Sequence, residues 1–129
     1  MQKREIQTDR APAAIGPYSQ GVGIGPWLFV SGQLGMNPET GELVGPDMAA
    51  QARQALDNLK QILAAGGCNL EDVVAVDVFL TDMGNFIEFN GIYGEYFSTN
   101  KPARAAIEVS ALPKGGVVEI KCIACRPAG

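Results

Sequence analysis

No histidine occurs in these 129 residues, so Ser-His and Cys-His nucleophilic pairs and histidine-held metals are excluded. Acid–base work then falls to carboxylates, lysine, tyrosine or cysteine, and charged groups in unusual places become the candidates. Cys122-x-x-Cys125 has the spacing of half a zinc site, but there is no second ligand pair, and on a strand residues three apart face opposite ways. Both read as small core thiols. Arg104 and Glu119 remain, each inside an otherwise apolar, strand-like segment. A guanidinium offers a planar fork to a carboxylate, and a desolvated carboxylate takes up and returns protons near neutrality.

Strand alternation must position both groups. From Ala103 to Ala111, one face takes Ala103, Ala105, Ile107, Val109 and Ala111, and the other takes Arg104, Ala106, Glu108 and Ser110. We expect the all-apolar set to meet the core, which turns Arg104 away from the helices. In the strand Val117–Cys125, Val118, Ile120, Cys122 and Ala124 form the core face and Glu119 looks outwards. Patterning alone leaves two readings open. Both are ordinary solvated or salt-bridged strand residues, or both are charges inside an interface, where a lone charge is costly unless paired or meant for a ligand.

The remaining elements follow from period and punctuation. Short extended segments are expected around residues 5–7 and 19–24, and a strand over Trp27–Ser31 between Gly25-Pro26 and Gly32. Residues 32–46 read as one loop. Asp47 is a plausible N-cap for a helix with Ala52, Leu56, Leu59 and Leu63 on one stripe, stopped by Gly66-Gly67. Val73–Thr81 is apolar on both alternating sets, so both of its faces should be covered. A second helix is expected from Asp82 to about Phe97, with Phe86, Phe89, Tyr93 and Phe97 at helical spacing. Leu112-Pro113-Lys114-Gly115-Gly116 marks the turn before the last strand.

The order ββ(β)αβαββ describes an α+β layer fold in one domain, one mixed sheet with two helices on one face. The second sheet face then needs cover, and copies of the same chain are the simplest source, so a homo-oligomer is expected. Net charge is −4 with no basic run, which argues against nucleic acid as a partner. No apolar stretch approaches the roughly 20 residues of a membrane helix, so no membrane span is expected. The odd count of three cysteines and the absence of an apolar signal core suit a cytoplasmic protein.

The run Pro102-Ala103-Arg104-Ala105-Ala106-Ile107-Glu108-Val109-Ser110-Ala111-Leu112, followed after five residues by Val118-Glu119-Ile120, resembles the signature of the Rid (YjgF) family. Gly16-Pro17-Tyr18-Ser19-Gln20, Val30-Ser31-Gly32-Gln33, Thr81-Asp82 and Phe89-Asn90 stand in the same order and spacing as in that family. The resemblance implies a chorismate-mutase-like fold and a homotrimer whose sheets surround a central barrel, with active sites in the clefts between subunits. It implies hydrolysis of 2-iminobutanoate and 2-iminopropanoate to 2-keto acids, without metal or cofactor. Arg104 would clamp the substrate carboxylate and Glu119 would activate water. Tyr18, Ser31 and Asn90 would hydrogen-bond substrate or water, with backbone groups at Gly32 and Ala106 completing the cradle. The chain departs from the pattern at Ala105-Ala106, where many members carry Ser or a reactive Cys. A non-catalytic sensor of small 2-keto carboxylates is the alternative of a different class. Ribonuclease or translation inhibition, also attached to the family, is opposed by the acidic balance and the missing histidine.

Overall fold

Asp47 caps the first helix as expected, its carboxylate accepting the Ala50 N–H at 3.2 Å. In this computed structural model, which describes residues 1–127, helix α1 spans Met48–Ala65. Gly66 ends it, returning its N–H to the carbonyls of Ile62 and Leu63. Leu56, Leu59, Ile62 and Leu63 on the inner stripe are fully buried. Each such side chain stabilises the fold by roughly 1.5–3 kcal/mol relative to exposure. Arg53, Asp57 and Lys60 lie on the exposed side.

The strands are β1 (Lys3–Ile6), β2 (Gly21–Ile24), β3 (Trp27–Leu34), β4 (Val73–Leu80), β5 (Ala103–Glu108) and β6 (Val118–Cys125). They form one six-stranded sheet in the order β1-β2-β3-β6-β4-β5, antiparallel throughout except for the parallel pair β4–β5. The second helix, α2 (Phe86–Tyr96), packs beside α1 and makes the β4-to-β5 crossover that a parallel pair requires. Val76, Val78 and Leu80 of β4 and Val118, Ile120 and Cys122 of β6 meet the helices to form the core. Among the described residues, no helix is long and apolar enough to cross a membrane.

Several expectations need correction. Residues 32–46 are not all loop: β3 runs on to Leu34, and Met36 bridges Leu43 across the turn that follows. The extension is held by Asn58 of α1, whose amide donates to the carbonyls of Leu34 and Met36 at 3.2 and 3.0 Å. The second helix does not begin at Asp82, because that side chain caps a separate 3-10 turn, Met83–Asn85, and α2 starts only at Phe86. Strand β5 stops at Glu108 rather than Ala111.

The largest correction concerns Arg104. It pairs with Val76, Ala106 with Val78 and Glu108 with Leu80, and those partners point into the core. Arg104 therefore faces the helix side. β5 lies at the sheet edge, where its neighbour on that side is the flank of α2, so a polar head can reach past the apolar layer. The all-apolar set of β5 faces the opposite way, with Ile107 50% exposed. That second face is open across the sheet: Trp27 is 41% and Phe29 44% exposed. An uncovered apolar surface of this kind is the mark of an interaction face.

Candidate active site

The sequence-derived candidates fall into two groups on opposite sides of the sheet. The first surrounds Arg104. Its Nη1 donates to Asn90 Oδ1 at 2.8 Å, and its guanidinium lies 4.8 Å from the Tyr93 ring centre and 5.5 Å from that of Phe86. Phe86, Asn90 and Tyr93 stand three and four residues apart, so one face of α2 presents all three. The rings hold the planar cation by cation–π contact. The remaining N–H groups of the fork have no partner among the described residues, which leaves Arg104 oriented and available to an anion. Ala106 follows on the same face, half-buried against the core.

Phe86 and Tyr93 were expected only as core aromatics; their spacing to Asn90 was the signal of a second role. The Tyr93 hydroxyl is buried without a hydrogen-bond partner among the described residues. Burial pushes its phenol up, the Arg104 charge pulls it partly back, and Cys122 adds a smaller push upwards. The ring is thus a neutral platform for the guanidinium.

The second group surrounds Glu119. β3 carries a bulge between Val30 and Gln33, which places Ser31 and Gly32 against the Glu119 stretch of β6. A Cβ on Gly32 would stand 2.9 Å from the Glu119 carboxyl carbon, so only glycine leaves that carboxylate its seat. Ser31 is tied down on both sides: its hydroxyl donates to the Ser19 carbonyl at 2.6 Å and its N–H to the Gln20 carbonyl at 2.9 Å. The hydroxyl's lone pairs remain free to accept from a ligand or water. Glu119 opens into a cavity of about 300 Å³ that Tyr18 and Ile15 line from the loop before β2 and Lys114 from the turn before β6. Burial raises the Glu119 carboxyl above its ordinary value, and the Lys121 charge opposes that shift. Lys114 has a left-handed backbone (φ 59°) and donates to the Gly41 carbonyl at 3.2 Å.

Within one chain, then, Arg104 and Asn90 are brought together, and Glu119, Gly32, Ser31 and Tyr18 are brought together, but the two groups are not. β4 lies between Glu119 on β6 and Arg104 on β5, and the two side chains leave the sheet in opposite directions. Cys122 and Cys125 likewise occupy opposite faces, and no cluster of metal-ligating side chains occurs among the described residues.

These features define an α+β layer protein with one covered and one open sheet face and a group of candidate site residues on each. A family model described as Endoribonuclease L-PSP matches residues 8–126. The chain belongs to that family, the Rid (YjgF) family. It is 50% identical over 124 residues to a Bos taurus protein named 2-iminobutanoate/2-iminopropanoate deaminase, covering 96% of this chain and 90% of the other. It is equally 50% identical over 124 residues to a RutC family protein of Pyrococcus horikoshii, covering 96% and 98%. Among solved structures it resembles the YjgF gene product of Escherichia coli (TM-score 0.92, 46% identity, 96% and 99% coverage). It also resembles Escherichia coli TdcF with bound serine (TM-score 0.92, 41% identity, 96% and 99% coverage).

Proposed function

We propose that this chain hydrolyses 2-imino acids of small side chain, the 2-iminobutanoate and 2-iminopropanoate class, to 2-keto acids and ammonia, at sites assembled where two copies meet. The observation that carries the proposal is the divided site: a pre-oriented guanidinium and a seated carboxylate, each with open valences, on opposite sides of one sheet. In an oligomer, the Arg104 edge of one copy completes the Glu119 cavity of the next. The open apolar face supplies the area to hold the copies together, as in a trimer with its sheets turned inwards around a barrel. Relatives of half-identical sequence carry the deaminase name, and the serine bound by TdcF is a small amino acid with the carboxylate that Arg104 is built to receive.

In this reading, the Arg104 fork takes the substrate carboxylate and Asn90 keeps the fork in plane. Glu119 draws a proton from a water, whose oxygen attacks the imine carbon while the C=N electron pair moves to nitrogen. The proton held by Glu119 passes to that nitrogen and gives a carbinolamine. Glu119 then takes the carbinol O–H proton and delivers it to the nitrogen, the C–N bond breaks, ammonia leaves, and the carbinol oxygen becomes the keto oxygen. Ser31 and Tyr18 are placed to hold the water or the nitrogen. Every proton and electron pair in the sequence belongs to imine, water or Glu119, so the chain's own residues suffice.

A coupled assay tests this reading. With a dehydratase or amino-acid oxidase generating the imine, added protein should speed keto-acid formation. No acceleration, with 2-ketobutyrate still bound through Arg104, would leave a small-carboxylate sensor instead. The acidic net charge of −4 and the missing histidine stand against the RNA-cleaving activity in the family model's description.

The pH profile is a further expected result. Glu119 must be ionised to act as base, and burial raises it, so kcat/KM should fall as pH falls through a limb above the ordinary carboxylate value of about 4.3. Lys121→Gln removes the charge that opposes the shift, and the limb should move further up. An acid limb at the ordinary carboxylate position in both proteins would remove Glu119 from the base role.

A further inference from the structure

The segment between β1 and β2, residues 7–20, has neither helix nor strand, yet it forms one wall of the Glu119 cavity through Ile15 and Tyr18. A connection this long inside a compact fold needs its own fastening. Ala11 is buried in the core at one point. Pro12 beside it is buried too, and Ser31 holds the Ser19 carbonyl at the far end; between these points the loop is gathered by one side chain. Gln20, only 3% exposed, accepts the Thr8 N–H through Oε1 at 2.7 Å. Through Nε2 it donates to the carbonyls of Thr8 at 2.9 Å, Ala11 at 3.3 Å and Pro12 at 2.8 Å. Its main chain faces the other way: the Gln20 carbonyl accepts the Ser31 N–H of the bulge that seats Glu119. One residue therefore joins both walls of the cavity, the loop by its side chain and the bulged strand by its backbone.

We propose that Gln20 is a positioning residue for the reaction. Its amide sets the separation between the Ala11–Tyr18 wall and the Ser31–Gly32 bulge, and hence where Tyr18 stands relative to Glu119. The proposal rests on the deaminase reading for its kinetic consequence but not for its structural one. No other side chain takes the role, because the task needs one acceptor and two donor hydrogens in one plane, which a primary amide provides.

Gln20→Met keeps the length and removes every polar contact. Hydrogen–deuterium exchange over residues 8–18 should become about tenfold faster or more, and KM for the imine should rise by about tenfold with kcat changed much less. The thermal midpoint serves as the control that the rest of the fold persists. Gln20→Glu covers the case in which the Met variant does not fold. A protonated glutamic acid still accepts from Thr8 and donates to one carbonyl, whereas the ionised form turns its charge on the carbonyls of Thr8, Ala11 and Pro12. That variant should approach wild-type KM at acid pH and acquire a rise in KM with increasing pH that the wild type lacks. Unchanged exchange over residues 8–18 in Gln20→Met overturns the proposal whatever the activity. Faster exchange with wild-type KM, or no new pH dependence in Gln20→Glu, overturns the link between loop and cavity. A wild type without turnover overturns the functional reading alone, because the exchange rates still report the fastening.

Discussion

Mixed Arg104→Ala and Glu119→Gln chains are expected to regain activity that neither has alone. Each variant by itself loses the carboxylate fork or the base, and kcat/KM should fall by at least about 100-fold, close to 3 kcal/mol of transition-state stabilisation. Arg104→Lys should fail similarly, because an ammonium cannot reproduce the fork held by Asn90 and the Tyr93 ring. When the two variants are unfolded and refolded together, a site between neighbours is intact only if one neighbour keeps Arg104 and the next keeps Glu119. Random assembly makes that true for about a quarter of the sites, so about a quarter of wild-type activity should return. The measurement is specific activity against the mixing ratio, with native mass spectrometry confirming hybrids. Hybrids without recovery would place both residues in one chain's site and defeat the divided-site reading.

The second large effect is on stability and sits just past β3. Gly35 is buried, and a Cβ there would stand 2.4 Å from Gln51 Cα and 2.5 Å from the Gln51 carbonyl oxygen of α1. Backbone cannot yield as a side-chain tip does, so Gly35→Ala must push α1 off the sheet. It would also strain the Gln51 amide, which donates to the Gly45 carbonyl at 2.7 Å and accepts from Val117 at 2.9 Å. We expect a loss of about 3 kcal/mol or more, lowering the thermal midpoint by on the order of 10 °C. Gly91→Ala on α2 is the internal contrast. Its Cβ meets nothing within 4 Å and its φ is not left-handed, so the midpoint should rise slightly through reduced freedom of the unfolded chain. A Gly35→Ala protein that melts with the wild type would show that the approach of β3 to α1 is looser than described.

What could be read without coordinates follows physical lines. α1 was legible to its cap because leucines at helical spacing, an aspartate before them and paired glycines after them agree. β6 was also legible, since Glu119 and Lys121 alternate with apolar residues over its first half and fix which set faces the core. β5 misled because both of its alternating sets are rich in alanine, and the choice of core face rested on the assumption that an arginine avoids the helices. At an edge strand that assumption fails, since α2 offers Arg104 two aromatic faces and an amide rather than a dry layer. The bulge at Ser31–Gly32 was illegible for a different reason: it exists only as a mismatch in count between β3 and β6, which neither segment carries alone. Arg104 and Glu119 stood out as charges in apolar strands and through their motif; alternation gave the face of Glu119, whereas that of Arg104 had to come from the pairing. Gln20 stood inside a quoted motif without a role, as nothing in its neighbours shows that its amide closes a loop reaching back to Thr8.

The place of β6 in the sheet has a consequence for how the protein is made. Of the six strands it is the last synthesised, yet it lies between β3 and β4 near the middle of the sheet. Until it arrives, β3 and β4 each present an unpaired edge, and Val118, Ile120 and Cys122 are missing from the layer beneath the helices. A nascent chain on the ribosome therefore cannot close this sheet progressively; completion waits for the final strand to insert, and until then exposed edges are open to pairing with other chains. A truncation that removes β6 would take away the centre of the sheet rather than trim its rim.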